Sequence, residues 1–137
     1  MTAHAHLTRN QSLVLDRLAE AEGPLSAYTL LDLLRDQGIK APLQIYRALD
    51  KLLEKGLAHR LESLNAFVAC AEPHCHYAGT VAFAICDKCG HVAEFADDDV
   101  KTRLERWAAR ESFSTRRTSI EIRGLCAACA TKSQNPS

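Results

Sequence analysis

The 137-residue sequence predicts an α+β protein, with an N-terminal winged helix-turn-helix domain followed by a small α/β domain. Three observations predict it. Between Thr8 and Gly56 run three amphipathic helical patterns punctuated by glycine and proline. Two short extended runs follow, with Ser63-Leu64-Asn65 as a turn between them. Beyond residue 80, strand and helix patterns are bracketed by two Cys-x-x-Cys pairs, Cys86/Cys89 and Cys126/Cys129.

The elements can be justified in order. Thr8-Arg9-Asn10-Gln11 reads as a capping box that opens a first helix with Leu13, Val14, Leu18 and Ala21 on one side. Gly23-Pro24 stops it. Ser26 suits the N-cap of a second helix through Leu30, Leu33 and Leu34, which Gly38 ends. Pro42 fits the first turn of a third helix. Its stripe of Ile45, Ala48, Leu49, Leu52 and Leu53 follows the spacing of a helix laid on a core, with Gln44, Arg47, Lys51 and Lys55 mostly elsewhere. Leu57–Glu62 and Ala66–Cys70 form a hairpin, the wing, and the third helix is the one that would enter a major groove.

Residues 1–70 are thus expected to form the winged-helix domain and 71–80 a linker, with 81–130 as the second domain and 131–137 as a loose tail. The second domain is expected to hold a strand carrying Phe83 and Ile85, a short strand over His91–Phe95 and a helix capped by Asp97-Asp98-Asp99. Val100, Leu104, Trp107 and Ala108 share one side of that helix, and a last strand spans Thr118–Ile122.

Composition narrows the function. Seventeen basic and seventeen acidic residues balance, and residues 1–70 carry eight of each, so nucleic-acid binding has to come from a local arrangement of Arg and Lys. No apolar run is long enough to cross a membrane, and Met1–His6 has none of the features of a secretory signal, which places the chain in the cytoplasm. Six cysteines in that compartment point to metal or redox chemistry rather than to a disulfide framework.

The double Cys-x-x-Cys is the strongest chemical signal. A two-residue spacer lets both thiolates of a knuckle reach one ion, and zinc favours four such ligands in a tetrahedron. Gly90 fits the tight turn after Cys89. Cys86, Cys89, Cys126 and Cys129 are therefore read as a structural zinc site that ties the beginning of the second domain to its end. A thioredoxin-like redox pair needs only one Cys-x-x-Cys at the start of a helix in a βαβ unit, and neither pair sits so.

A second metal signal flanks the wing. A register that sets Leu61 opposite Val68 also sets His59 opposite Cys70, within about 5 Å at Cβ. Glu94 shares a strand face with Val92, so its carboxylate points toward apolar neighbours and needs a partner, which a cation would supply. His74 and His76 lie in the linker between. Taken singly, each has a bland reading as a packed or solvated side chain, and Cys70 as a small buried apolar one. Together they make a nitrogen, sulfur and oxygen set suited to zinc.

Several stretches carry a resemblance. Leu25-Ser26-Ala27-Tyr28-Thr29-Leu30-Leu31, Ile45-Tyr46-Arg47-Ala48-Leu49, the hairpin Glu62–Cys70, Ile85–Gly90 and Gly124–Cys129 resemble the zinc uptake regulator branch of the ferric uptake regulator family. The resemblance covers roughly residues 7–130. It implies a non-enzymatic, zinc-responsive repressor that works as a homodimer on palindromic, AT-rich operator DNA. It implies two zinc ions per subunit and no small-molecule substrate. His59, Cys70 and Glu94 match the regulatory ligands, with His76 preferred over His74 as the fourth and Cys75 left without a role. In the third helix the family usually has Pro-Thr-Val-Tyr-Arg where this chain has Leu43-Gln44-Ile45-Tyr46-Arg47, so Gln44 stands where a phosphate-contacting Thr is usual. Arg47 is expected to reach a base edge, Tyr28 and Tyr46 to touch backbone or thymine, and Lys51 and Arg60 to touch phosphate. The run Pro73-His74-Cys75-His76 lacks the His-His-Asp-His of iron and peroxide sensors. An iron- or nickel-sensing relative and a zinc-ribbon adaptor are the alternatives. A zinc deaminase would need His-x-Glu with Pro-Cys-x-x-Cys, and the sequence has neither.

Overall fold

The computed structural model describes residues 6–70, 80–116 and 118–134. It divides into two compact units, Met1–Cys70 and Ala71–Ser137. Most of the expected linker, with His74, Cys75 and His76, lies outside the described residues, and Thr80 already belongs to a strand.

The first unit opens with α1 (Arg9–Glu20). Its N-cap Thr8 accepts from the Gln11 amide at 3.2 Å while the Gln11 side chain accepts from the Thr8 amide at 3.2 Å, the reciprocal box expected from sequence. Helix α2 (Ala27–Leu34) starts at Ser26, whose hydroxyl accepts from the Thr29 amide at 3.1 Å. A 3₁₀ turn, Arg35–Gln37, extends it to Gly38 at φ +98°, where glycine carries no Cβ penalty. Helix α3 (Pro42–Glu54) begins with proline at its first turn and gives way to Gly56 at φ +74°.

The core of this unit gathers Val14, Leu15 and Leu18 of α1, Leu30, Leu31 and Leu34 of α2, and Ile45, Ala48, Leu49 and Leu52 of α3. The inner face of α2 follows one row of its side chains. Leu31 is buried and Leu33 is 42% exposed, because Ala27, Leu30, Leu31 and Leu34 follow the i, i+3, i+4, i+7 row and Leu33 falls off it.

The wing is the antiparallel pair β1 (Ala58–Leu61) and β2 (Ala66–Ala69). Its register differs from the sequence expectation: His59 pairs with Val68 and Leu61 with Ala66, two residues away from the arrangement that opposes His59 to Cys70. The shift is even, so every side chain keeps its face of the pleat. The tight reversal through Asn65, at φ +50°, brings Ala66 back beside Leu61 and sets this register. Leu25 adds a bridge on the other side of β2: its amide donates to the Phe67 carbonyl at 2.9 Å, and its carbonyl accepts from the Phe67 amide at 2.8 Å.

The second unit is a three-stranded sheet in the order β4-β3-β5, with β3 (Thr80–Cys86) central, β4 (Val92–Phe95) antiparallel to it and β5 (Thr118–Gly124) parallel. The parallel pairing needs a crossover, which β4 and helix α4 (Asp98–Arg110) supply. Asp97 caps α4, accepting from the amides of Asp99 at 2.9 Å and Val100 at 3.1 Å. Phe83 and Ile85 are buried. The apolar side of α4 is not: Val100 and Leu104 are each 40% exposed and Trp107 is 48% exposed, with Ala108 the buried residue of the helix.

The chain does not loosen after Cys129. Helix α5 spans Ala127–Gln134 and so covers part of the expected tail. Alanines at 127, 128 and 130 favour helix, and the Ala130 amide donates to the Cys126 carbonyl at 2.8 Å. No described helix is long and apolar enough to cross a membrane.

Candidate metal centres and nucleic-acid surface

The four-cysteine group is built by the parallel strands. Because β3 and β5 run the same way, both finish at one end of the sheet, with Cys86 paired to Gly124 at the last rung. Cys86 is therefore carried to the same place as the segment leading into Cys126. The first pair sits on a tight knuckle: the Gly90 amide donates to the Cys86 carbonyl at 3.0 Å and Gly90 takes φ +79°. The Cys86 amide donates to the His91 carbonyl at 2.9 Å, and the Cys89 amide points at the Cys86 sulfur at 3.4 Å. The second pair occupies the turn into α5.

The four Sγ atoms all lie within 4.8 Å of one another, and those of Cys89 and Cys126 are 3.8 Å apart. A tetrahedron with Zn–S bonds of about 2.3 Å has sulfur–sulfur edges of about 3.8 Å. The residues present fit a zinc ion in number, type and spacing. The thiols are also polarised against one another. Cys86 is pulled down to about 5, chiefly by the backbone N–H of Cys89 and then by that of Cys126. Cys129 is pushed up to about 12, first by its hydrogen bond with Cys126 and then by burial. One sulfur is poised as a thiolate and another holds its proton, and a divalent cation is the group that lets all four ionise together.

In the first unit, the ligand atoms of His59 and Cys70 lie within 4.8 Å of each other. They are diagonal neighbours on one face of the wing rather than a direct pair. Both are half-buried. The Cys70 amide closes the hairpin onto the Leu57 carbonyl at 2.9 Å. Its sulfur can ligate a metal only as the reduced thiolate. Glu94, in the second unit, stands opposite the buried Phe83 and is itself half-buried, on the face shared with Val92. His76, the expected fourth ligand, lies outside the described residues.

The residues expected at DNA are exposed to different degrees. Tyr28 is 74% exposed near the start of α2, and Tyr46 is 44% exposed on α3. Arg47 is exposed and forms no ion pair among the described residues. Lys51 contacts Glu54 at 3.3 Å on the same helix. Arg60 is held over the wing turn by the Asn65 side chain at 3.0 Å, with Glu62 at 3.7 Å. Gln44 has a role that sequence reading missed. Its side-chain oxygen accepts from the amides of Lys40 at 3.0 Å and Ala41 at 3.1 Å, so it caps α3 from inside the first turn. Position N3 is the signal that could have found this.

Asp87 and Arg123 were not singled out in the sequence. The Arg123 guanidinium meets the Asp87 carboxylate beside the four sulfurs, with Nε at 2.8 Å and Nη2 at 2.7 Å from Oδ1. They stand 36 positions apart, and only the β3–β5 register makes them neighbours.

Comparison with known proteins points the same way. The sequence profile described as "Ferric uptake regulator family" matches residues 3–123. The chain is 42% identical over 129 residues to the zinc uptake regulation protein of Escherichia coli (strain K12), covering 92% of this chain and 74% of that one. Among solved structures it is similar to a zinc uptake regulator complexed with zinc and DNA, with a TM-score of 0.84 and 39% identity over 97% of this chain and 91% of the other. It is also similar to holo XcZur, with a TM-score of 0.82 and 44% identity over 91% of this chain and 86% of that chain.

Proposed function

Because the chain belongs to the ferric uptake regulator family, we propose that it is a zinc-responsive transcriptional repressor, binding palindromic operator DNA as a dimer when its regulatory zinc site is filled. The observation that carries this is the likeness, along 97% of the chain, to a solved regulator bound to both zinc and DNA.

Cys86, Cys89, Cys126 and Cys129 hold a structural zinc. Their sulfur spacing and knuckle geometry support this, and four protein ligands leave no position open for water activation, so the centre is not catalytic. A second, regulatory zinc is held by His59, Cys70 and Glu94, with His76 as the fourth ligand. The nearness of the His59 and Cys70 ligand atoms supports the first two, and the half-buried carboxylate facing Phe83 supports Glu94. The donor set of one thiolate, two imidazoles and a carboxylate suits zinc over magnesium, calcium or manganese.

The ligands come from both units, so filling the site fixes how the units are oriented. In a dimer that orientation sets the distance between two α3 helices, which must match half-sites one helical turn or a multiple apart. An empty site leaves a smaller competent fraction and a weaker apparent affinity, with a coupling of about 1–3 kcal/mol as is typical of allostery. Arg47 reads a base edge, Tyr28 and Tyr46 pack on backbone or thymine methyl, and Lys51 and Arg60 meet phosphates after leaving their surface partners. Gln44 keeps its amide nitrogen free for a phosphate while its oxygen caps the helix.

Two features support the homodimer. The side of α4 bearing Val100, Leu104 and Trp107 is apolar and exposed, and β5 is an edge strand with Ile122 52% exposed. A repressor of this kind works in the cytoplasm.

The decisive experiment is a gel-shift titration of the purified chain on palindromic AT-rich duplexes, with zinc added and with zinc buffered away. Zinc-dependent, sequence-selective retardation is expected. Equal retardation in both conditions would discard the zinc-responsive reading, and no retardation in either would discard the DNA-binding one.

A further inference from the structure

We propose that the Asp87–Arg123 ion pair is a clasp that positions the two cysteine pairs, so that Arg123 and Asp87 set how long zinc is retained between them. The proposal rests on the reading of the four cysteines as a zinc site.

The ladder between β3 and β5 ends at Cys86 and Gly124. Cys86 sits on that rung, but Cys89 lies in the turn after β3, Cys126 in the turn after β5 and Cys129 in the first turn of α5, all beyond the ladder. Two links continue beyond the ladder. The Asp87 amide donates to the Gly124 carbonyl at 2.7 Å, and Arg123 reaches across to the Asp87 carboxylate with two nitrogens converging on Oδ1. Asp87 lies inside the first Cys-x-x-Cys, and Gly124 lies two residues before Cys126. The clasp therefore joins the two segments whose separation decides whether Cys89 and Cys126 hold their 3.8 Å spacing.

Charge gives the pair a second effect. Four thiolates around one Zn²⁺ carry a net charge of about −2. An uncompensated Asp87 carboxylate, one residue from Cys86, adds to that repulsion, and the Arg123 guanidinium neutralises it. Both side chains are 47% exposed, and a surface pair of that kind contributes little to global folding. Residues that orient or electrostatically support metal ligands change metal affinity about 10- to 100-fold when removed. Positioning and mere surface pairing thus predict different outcomes.

The test uses the full-length, zinc-loaded protein and transfer of its tightly held zinc to the chromogenic chelator 4-(2-pyridylazo)resorcinol. Arg123→Gln is expected to keep its secondary structure and its zinc content as purified but to release zinc about tenfold faster. Arg123→Lys, which retains charge without the fork, should recover part of the loss. The double variant Arg123→Gln/Asp87→Asn should release more slowly than the product of the single effects, because it removes the stranded carboxylate. The cobalt(II)-substituted Arg123→Gln protein should show shifted d–d bands. Release at the wild-type rate from both single variants, with unchanged cobalt spectra, overturns the proposal. Should Arg123→Gln fail to fold, the wild-type chain decides it: release that accelerates with ionic strength supports the clasp, and release indifferent to salt overturns it. A wild-type chain with no zinc on these cysteines would instead remove the underlying reading, and its zinc content tells the two failures apart.

Discussion

Cys89 and Cys126 stand 37 positions apart in the chain, yet their sulfurs lie 3.8 Å from each other at one end of a sheet. That closeness is produced by the parallel run of β3 and β5, and metal chemistry builds on it.

The first prediction concerns that centre. Cys86→Ser removes a buried ligand and leaves three thiols for one ion. Because zinc bound to such a site contributes directly to folding, the variant should lose its chelator-resistant zinc and melt at a markedly lower temperature. Metal content by atomic absorption and a melting scan check this, and a variant with native zinc and native melting would rule it out.

A pH dependence follows for the zinc-stripped protein. Cys86, held down to about 5 against an ordinary value of 9.0, contributes stability that is present above pH 9 and lost as pH falls through 5. Cys129, raised to about 12, contributes stability present below pH 9 and lost as pH rises through 12. The stripped chain should melt highest near pH 9 and fall away on both sides. A melting profile that is flat between pH 6 and 10 would contradict both assignments.

Cys70 is predicted to matter only when reduced. In the presence of a thiol-free reductant the protein should take up a second zinc, and Cys70→Ser should lose that second ion while keeping the first. Zinc-dependent retardation of operator DNA should vanish in the variant. If Cys70→Ser answers zinc as the parent does, Cys70 leaves the sensor.

Arg47 is exposed on α3 and forms no ion pair among the described residues. Arg47→Ala should weaken specific binding by about 1–3 kcal/mol and relax preference at one base position. Titrations against a panel of single-base operator variants measure this. An equal loss on every sequence would make Arg47 a phosphate contact instead.

The exposed side of α4 should carry the subunit contact. Leu104→Asp places a charge where Leu104 is 40% exposed, so the fold should survive while the dimer dissociates. Sedimentation velocity at micromolar concentration checks this, and an intact dimer would move the interface elsewhere.

Much of the first unit was legible in the sequence because its signals are local. Thr8 and Ser26 mark helix starts through bonds made within one turn and Pro42 through its fixed φ, and the α3 stripe is buried at Ile45, Ala48, Leu49 and Leu52, with Leu53 half-buried. The misread wing register has a physical cause. Pairing His59 with Cys70 rather than Val68 depended on where the chain reverses, and Asn65 at φ +50° fixed that point. The four cysteines were legible as a group because each pair is a local motif. Asp87 and Arg123 were not, since nothing near either residue announces the other. The apolar side of α4 was legible as a stripe, but hydrophobic periodicity marks a covered surface without saying which molecule covers it.

The strand order of the second unit also bears on how the protein is made. A nascent chain that has laid down β3 and β4 offers a passing ion only two sulfurs, a weak and readily exchanged grip. The other two arrive only after α4 has crossed over and β5 has docked beside β3, the longest-range step in that unit. The four-sulfur group is complete only at that point, so an ion gripped by all four would mark a finished second unit.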